Sequence, residues 1–76
     1  MLDKIIEIIS EYQGLEKDMI KEDSNLVTDI GLSSFDVTEL VCKIEDEFDV
    51  QIPDRMIRSL QTVGDIVNYV GEQKKN

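Results

Sequence analysis

The chain has 76 residues, 17 of them acidic and 8 basic, which gives a formal net charge of −9, and it contains no histidine. A chain of this length buries only roughly 60% of the surface that it exposes when unfolded. We therefore expect one small domain over residues 1–76, too small for a deep catalytic cleft. The acidic balance disfavours nucleic acids and anionic membranes, because both are bound through Lys and Arg. The missing histidine removes the commonest general base, so the composition argues against an enzyme.

The remaining composition indicates the compartment. The one cysteine, Cys42, excludes an intramolecular disulfide. No apolar run approaches the roughly 20 residues needed to cross a membrane, and Asp3 and Glu7 interrupt the amino terminus where a signal peptide would be apolar. The alternating oxygen ligands of a calcium loop are missing as well. We expect a cytoplasmic protein with no membrane insertion and no resident metal.

The first predicted element is an amphipathic helix from about Leu2 to Tyr12. Its apolar residues recur at i, i+3, i+4 and i+7, which is the spacing of one helix face. They are Leu2, Ile5, Ile6 and Ile9. Gly14 lies just past this pattern, where a glycine typically ends a helix.

Residues 15–31 show no sustained period, so we predict a long ordered loop. Isolated apolar side chains are expected to tie it to the core: Leu15, Met19, Ile20, Leu26, Val27 and Ile30. A loop of this length in a small domain is uncommon and is usually functional.

A second helix is predicted to begin at the pair Ser33 and Ser34 and to end near Phe48 or Asp49. Ser33 is followed three residues later by Asp36, the spacing of a capping box. Apolar residues at helical spacing then predict a face toward the core, made by Val37, Leu40, Val41, Ile44 and Phe48.

The last third of the chain predicts a link and two further helices. Val50 to Pro53 should be extended, because the residue before a proline avoids the helical region. Asp54 to Leu60 is expected to hold a short helix. Thr62 with Asp65 repeats the capping pattern at the start of a last helix that frays through Gly71 to Asn76; its apolar positions are Val63, Ile66, Val67 and Val70. These elements predict an all-α fold, a small four-helix bundle of three long helices and one short one.

The two serines have different expected roles. A capping residue turns its hydroxyl toward the backbone, which assigns Ser33 to the cap and leaves the hydroxyl of Ser34 exposed. A hydroxyl at a helix amino terminus is well placed to carry a phosphate ester, since free amides and the helix dipole favour an anion. Without an adjacent base Ser34 is not a nucleophile by itself. The alternative is that both serines only start a helix.

Thirteen residues, from Asp29 to Val41 (DIGLSSFDVTELV), resemble the signature of the acyl carrier protein family, Asp-x-Gly-x-x-Ser followed by an acidic and apolar helix. Residues 45–54 and 62–66 are similar to two further blocks of that family in the same order. The resemblance implies that Ser34 carries a 4'-phosphopantetheine arm, transferred from coenzyme A by a phosphopantetheinyl transferase. The thiol of that arm would hold acyl groups as thioesters, most directly in fatty acid biosynthesis.

The resemblance also implies a docking surface. Residues 34–49 contain six acidic residues and one lysine, Lys43, a net charge of −5. Family similarity assigns contacts with basic patches on the transferase, synthases and other acyl-processing enzymes to Asp36, Glu39, Glu45 and Asp46. A merely solvated helix face is the alternative. Lys43 would either pair with Glu39 four residues earlier or discriminate among partners.

In the resembling family the core opens to enclose an acyl chain. Candidates for such a cavity are Leu40, Ile44, Ile57, Leu60 and Val63, and ordinary core packing is the alternative for all of them. Cys42 is expected to be a partly buried apolar residue. The chain is expected to be monomeric.

Two features leave the pathway open. The family usually has aspartate before the modified serine, whereas this chain has Ser33, which caps the helix but adds no negative charge. The presence of Ser33 and Lys43 is compatible with a carrier for a specialised pathway that makes a polyketide, a nonribosomal peptide, the cell wall or lipid A. The alternative from another functional class is an acidic helical adaptor without a prosthetic group. Covalent modification of Ser34 would distinguish a carrier protein from such an adaptor.

Overall fold

Four α-helices and one short 3₁₀ turn make up the regular structure of residues 1–74, the part of the chain that this computed structural model describes. The elements are α1 (Leu2–Gln13), the 3₁₀ turn (Lys17–Met19), α2 (Ser34–Phe48), α3 (Asp54–Ile57) and α4 (Val63–Lys74). Within the described residues, β pairing is limited to one isolated bridge between Asn25 and Thr62. The predicted all-α bundle is confirmed.

Helix α1 ends where the sequence predicted. Ile5 and Ile9 are fully buried on its inner face. Gly14 adopts the left-handed conformation with φ 72° and ψ 33°, and its N–H donates to the carbonyl oxygen of Ser10 at 2.9 Å. A glycine reaches this conformation without the steric cost of a β-carbon, which is why the helix stops here.

Helix α2 has a complete capping box at its start. The Ser33 hydroxyl accepts from the N–H of Asp36 at 3.1 Å, and the Asp36 carboxylate accepts from the N–H of Ser33 at 3.0 Å. Four side chains of α2 are buried, and they belong to the predicted apolar face: Val37, Leu40, Val41 and Ile44.

The long loop before α2 is ordered, but by fewer side chains than expected. Ile20, Leu26 and Ile30 are buried, whereas Met19 is 69% and Val27 54% exposed, so the prediction that these last two hold the loop is wrong. Backbone hydrogen bonds also hold the loop in place: the N–H of Leu26 donates to the carbonyl of Gln61 at 2.8 Å. The loop is therefore joined to the segment just before α4.

The two carboxyl-terminal helices differ from prediction in length. α3 ends at Ile57 and not at Leu60, because the N–H groups of Ser59 and Leu60 make tighter i to i−3 bonds, to Met56 and Ile57. α4 continues through Gly71 to Lys74, so the predicted fraying from Gly71 is wrong as far as residue 74; residues 75 and 76 lie outside the described part.

The core lies where α1, α2 and α4 meet. Its side chains with almost no exposure come from all three helices and the loop: Ile5, Ile9, Leu26, Leu32, Leu40, Val41, Ile44, Val63, Ile66 and Val70. Among residues 1–74, no helix has the length and apolar character that a membrane span requires. The amino terminus of α2 stays at the surface of this core.

Candidate functional site

The segment that leads to Ser34 is held on both sides. Leu32 is 2% exposed, and its N–H donates to the carbonyl of Leu26 at 3.0 Å. Gly31 has a positive φ of 87°, and its carbonyl accepts from the Gln13 side-chain amide at 3.2 Å. That amide also lies 3.3 Å from the carbonyl oxygen of Ile30. The end of α1 thus fixes the turn that delivers the two serines.

The structure separates the two serines as the sequence predicted. The Ser33 hydroxyl accepts the hydrogen bond of the capping box. The hydrogen bond from the backbone N–H of Ser33 to the Asp36 carboxylate is the main cause of the lowered pKa of Asp36. Ser34 is the first residue of α2 and is exposed. In residues 1–74 its hydroxyl takes part in no hydrogen bond, although its carbonyl accepts from the hydroxyl of Thr38 at 3.2 Å.

The surroundings of Ser34 show what its hydroxyl can do. With no base bonded to it, the hydroxyl is not activated for attack on a substrate. The free amides of the first turn of a 15-residue helix nevertheless favour an anion at this place. The geometry suits a stable phosphate ester that another protein forms.

A surface cleft of about 470 Å³ opens beside Ser34. It lies between the start of α2 and the α3 region, and its lining is formed by Val27, Ser34, Val37, Thr38, Asp54, Ile57, Arg58 and Leu60. Val37, Thr38, Arg58, Val27 and Asp54 were not predicted to line a cavity, and Val37 was expected only on the core face of the helix. The positions i+3 and i+4 from Ser34 could have indicated the first two, because they share its helix face.

The structure divides the five residues proposed for an acyl cavity. Ile57 and Leu60 line the cleft beside Ser34. Leu40, Ile44 and Val63 are 0% exposed and pack inside the core. Leu60, which is 7% exposed, also belongs to the core, and Ile57 packs against the core, so the cleft and the core share this boundary.

The four acidic residues predicted for docking have different environments. Glu39 and Asp46 are exposed, whereas Asp36 and Glu45 are half-buried. The Glu45 carboxylate accepts from the backbone N–H of Ile52 at 2.6 Å. Two of the four residues therefore also hold the backbone in place.

Tyr12 is a part of this surface that the sequence did not reveal. Its hydroxyl lies 2.7 Å from Glu39 Oε1 and 3.2 Å from Asp36 Oδ1. The hydrogen bond to Glu39, followed by burial, raises the pKa of Tyr12 well above its usual range. Lys43 Nζ lies 6.0 Å from the centre of the Tyr12 ring and forms no ion pair with Glu39. An aromatic residue in the last turn of the first predicted helix was the available signal.

Cys42 corrects another prediction, because it is exposed and not partly buried. It follows the buried Val41 by one residue, which turns it about 100° around the helix and out of the apolar face. Among the described residues, no group of three or more His, Cys, Asp or Glu side chains is arranged to hold a metal ion.

A small helical bundle that presents a free serine hydroxyl at the start of an acidic helix is the architecture of a carrier domain. The family model described as the phosphopantetheine attachment site matches residues 3–70. An acyl carrier protein of Syntrophobacter fumaroxidans (strain DSM 10017 / MPOB) is 44% identical over 71 residues, which cover 93% of this chain and 88% of that protein. The chain belongs to the acyl carrier protein family. Its prosthetic group is 4'-phosphopantetheine, and it carries acyl groups without being an enzyme.

Proposed function

We propose that Ser34 is the residue that bears the 4'-phosphopantetheine and that the acyl groups carried belong to fatty acid biosynthesis. The observation that carries the assignment of Ser34 is its exposed hydroxyl, which no hydrogen bond of residues 1–74 occupies, at the first position of α2. Ser33, the neighbouring serine, is committed to the capping box. One carrier domain over residues 1–76 is the unit that we propose.

The residues around Ser34 fit this prosthetic group. The amides of the first turn of α2 favour the negative charge of a phosphodiester. The adjoining cleft is lined by apolar side chains, among them Val37, Ile57 and Leu60, and by the polar or charged side chains of Thr38, Asp54 and Arg58. When attached, the group supplies a thiol on which acyl groups are held as thioesters. The chain itself holds the attachment point and offers the cleft.

The intact mass of the protein tests the site. The native chain, incubated with coenzyme A and a broad-specificity phosphopantetheinyl transferase, is expected to gain one phosphopantetheine, and Ser34→Ala none. Ser33→Ala is the matched control, because it removes the neighbouring hydroxyl and keeps the attachment site. Modification of Ser34→Ala, or a native chain that is unmodified both on isolation and after incubation, would contradict the proposal.

As a member of the acyl carrier protein family, the chain works with a phosphopantetheinyl transferase and with acyl-processing enzymes. We propose that these partners dock on the face formed by Asp36, Glu39, Glu45 and Asp46, called the acidic face below. Charge complementarity of this kind raises the encounter rate and is weakened by salt. The KM of the transferase for the carrier should rise with NaCl and should rise in Glu39→Gln and Asp46→Asn.

The pathway is tested on the protein isolated from its own cells. Straight saturated acyl chains of graded length, held as thioesters on the phosphopantetheine attached to Ser34 and read by intact mass and fragmentation, are expected for a fatty acid carrier in the cytoplasm. An aminoacyl or polyketide mass would instead assign the chain to a specialised pathway. Light scattering of the purified protein tests the proposed monomer.

A further inference from the structure

One hydroxyl of α1 contacts two carboxylates of α2. Tyr12 Oη lies 2.7 Å from Glu39 Oε1 and 3.2 Å from Asp36 Oδ1, across 27 and 24 residues of chain. A tyrosine hydroxyl has one proton, so the shorter contact is the stronger hydrogen bond and the longer one shares the same donor. Both carboxylates belong to the acidic face.

This contact restricts two side chains that would otherwise be mobile. Asp36 and Glu39 are three residues apart on one helix face, where like charges repel. A donor between them offsets that repulsion and fixes the direction of each carboxylate. The second oxygen of Asp36 accepts from the N–H of Ser33, while Glu39 Oε2 makes no hydrogen bond in residues 1–74. Glu39 therefore keeps an oriented oxygen for a cation of another protein.

The ring of Tyr12 acts on a third side chain. Lys43 follows Glu39 by four residues, a spacing at which an ion pair commonly forms on a helix. Here the Lys43 ammonium lies 6.0 Å from the centre of the Tyr12 ring, within the range of a cation–π contact. The charge of Glu39 is consequently left without neutralisation by its neighbour.

We propose that Tyr12 is a positioning residue for docking: its hydroxyl orients Asp36 and Glu39, and its ring keeps Lys43 away from Glu39, so that both carboxylates are presented to the basic patch of a partner. The inference rests on the proposed docking function of the acidic face. A side chain that is already ordered loses less entropy when a complex forms. The effect is therefore expected in the association of the partner and not in the chemical step.

The test is the steady-state kinetics of a phosphopantetheinyl transferase with the apo carrier as the varied substrate. Tyr12→Phe removes the hydroxyl and keeps the ring, and it should raise KM roughly three- to tenfold with kcat unchanged. Tyr12→Leu removes both features and should raise KM further. Tyr69→Phe is the matched control, since its hydroxyl contacts Gln73 on α4. This variant should match the native chain.

A double-mutant cycle distinguishes positioning from a general structural role. If Tyr12 acts through Glu39 and Asp36, then Tyr12→Phe should raise KM less in a Glu39→Gln background and should leave it unchanged in an Asp36→Asn/Glu39→Gln background, and its effect in the native background should fall as NaCl is raised. An equal effect of Tyr12→Phe in all of these backgrounds and at all salt concentrations would overturn the inference. An unchanged KM in the Tyr12→Phe single variant, with a raised KM in Glu39→Gln, would overturn the inference and retain the docking face. If KM is unchanged in Asp36→Asn and also in Glu39→Gln, the positioning role of Tyr12 and the docking function of the acidic face are overturned together.

Discussion

The Glu45 carboxylate and the backbone N–H of Ile52 are joined by a hydrogen bond of 2.6 Å. Glu45 lies in the last turns of α2, and Ile52, which is 5% exposed, lies in the extended link after it. The backbone carbonyl of Glu45 also accepts from the N–H of Val50 at 3.2 Å. Glu45, a residue of the acidic face, thus fixes the backbone of the link between α2 and α3.

Because of this bond, we expect substitution of Glu45 by alanine to lower the free energy of unfolding more than substitution of its neighbour Asp46. Glu45→Ala leaves a buried N–H without its acceptor and should lower the free energy of unfolding by about 1–3 kcal/mol. Glu45→Gln keeps an oxygen at the same place and should lower it less. Asp46→Ala is the control, because it removes an exposed charge from the same helix. Urea unfolding followed by circular dichroism measures all three; equal losses for Glu45→Ala and Asp46→Ala would contradict the role of the bond.

Asp36 predicts a dependence of stability on pH. The N–H and hydroxyl of Ser33 hold the pKa of Asp36 below its usual range in the folded chain. A lowered pKa means that the contribution of Asp36 is complete above its unfolded pKa of about 3.9 and is lost as the pH falls through the lower folded pKa.

The corresponding measurement compares the native chain with Asp36→Asn. The difference in their unfolding free energies should be largest near about pH 6–7 and should shrink below about pH 4. Asp46→Asn controls for the loss of one negative charge from a strongly acidic chain. A native-to-Asp36→Asn difference that stays constant from neutral to acidic pH would show that the capping contacts do not depend on the ionised carboxylate.

Local chemistry explains what the sequence predicted well. The capping boxes at Ser33 and Thr62 and the left-handed Gly14 are each set by residues within a few positions, so their spacing is readable. The contact of Tyr12 with Glu39 depends instead on how α1 packs on α2, 27 residues apart in sequence. The pairing of Glu45 with Ile52 likewise requires the path of the link, which composition does not determine.

The same distinction applies to the site. Ser34 was predicted as the attachment residue because the helix start and the family signature both fall on it. The five cavity candidates could not be divided from the sequence, since Ile44 and Ile57 are the same residue type and only packing places the first fully inside the core and leaves the second half-buried at the cleft. Arg58 was missed because the short α3 region leaves no clear periodic pattern.

Two glycines of α4 are predicted to respond oppositely to alanine. Glycine inside a helix costs roughly 0.5–1 kcal/mol relative to alanine. Among residues 1–74, and apart from the backbone of its own helix turn, a β-carbon on Gly71 would meet no atom within 4 Å, so Gly71→Ala should raise the unfolding free energy by up to about that amount.

At Gly64 a β-carbon would lie 3.1 Å from Glu22 Cγ and 3.2 Å from the Glu22 carbonyl oxygen. That carbonyl already accepts from the Gly64 N–H at 2.7 Å, so the loop cannot move away without losing the bond. Gly64→Ala should therefore be destabilising. Thermal unfolding of both variants is the measurement; equal gains in Tm would show that the loop yields at Gly64.

The division between core and cleft predicts a separation of stability from acyl binding. Ile44 is 0% exposed, and Ile44→Ala should lower the free energy of unfolding by about 2–5 kcal/mol. That loss is comparable to the whole stability expected of so small a domain. Ile57 is half-buried at the cleft, and Ile57→Ala should cost less, because part of its surface is already in water.

Ile57→Ala should also change how the protein responds to its cargo. If an acyl chain packs against Ile57, converting the holo form to an acylated form should raise Tm in the native chain and raise it less in Ile57→Ala. Val67→Ala is the matched control, since Val67 is half-buried on α4 and is not among the residues that line the cleft. Its acyl-dependent rise in Tm should equal that of the native chain. An equal rise in all three proteins would place the acyl chain away from the cleft beside Ser34.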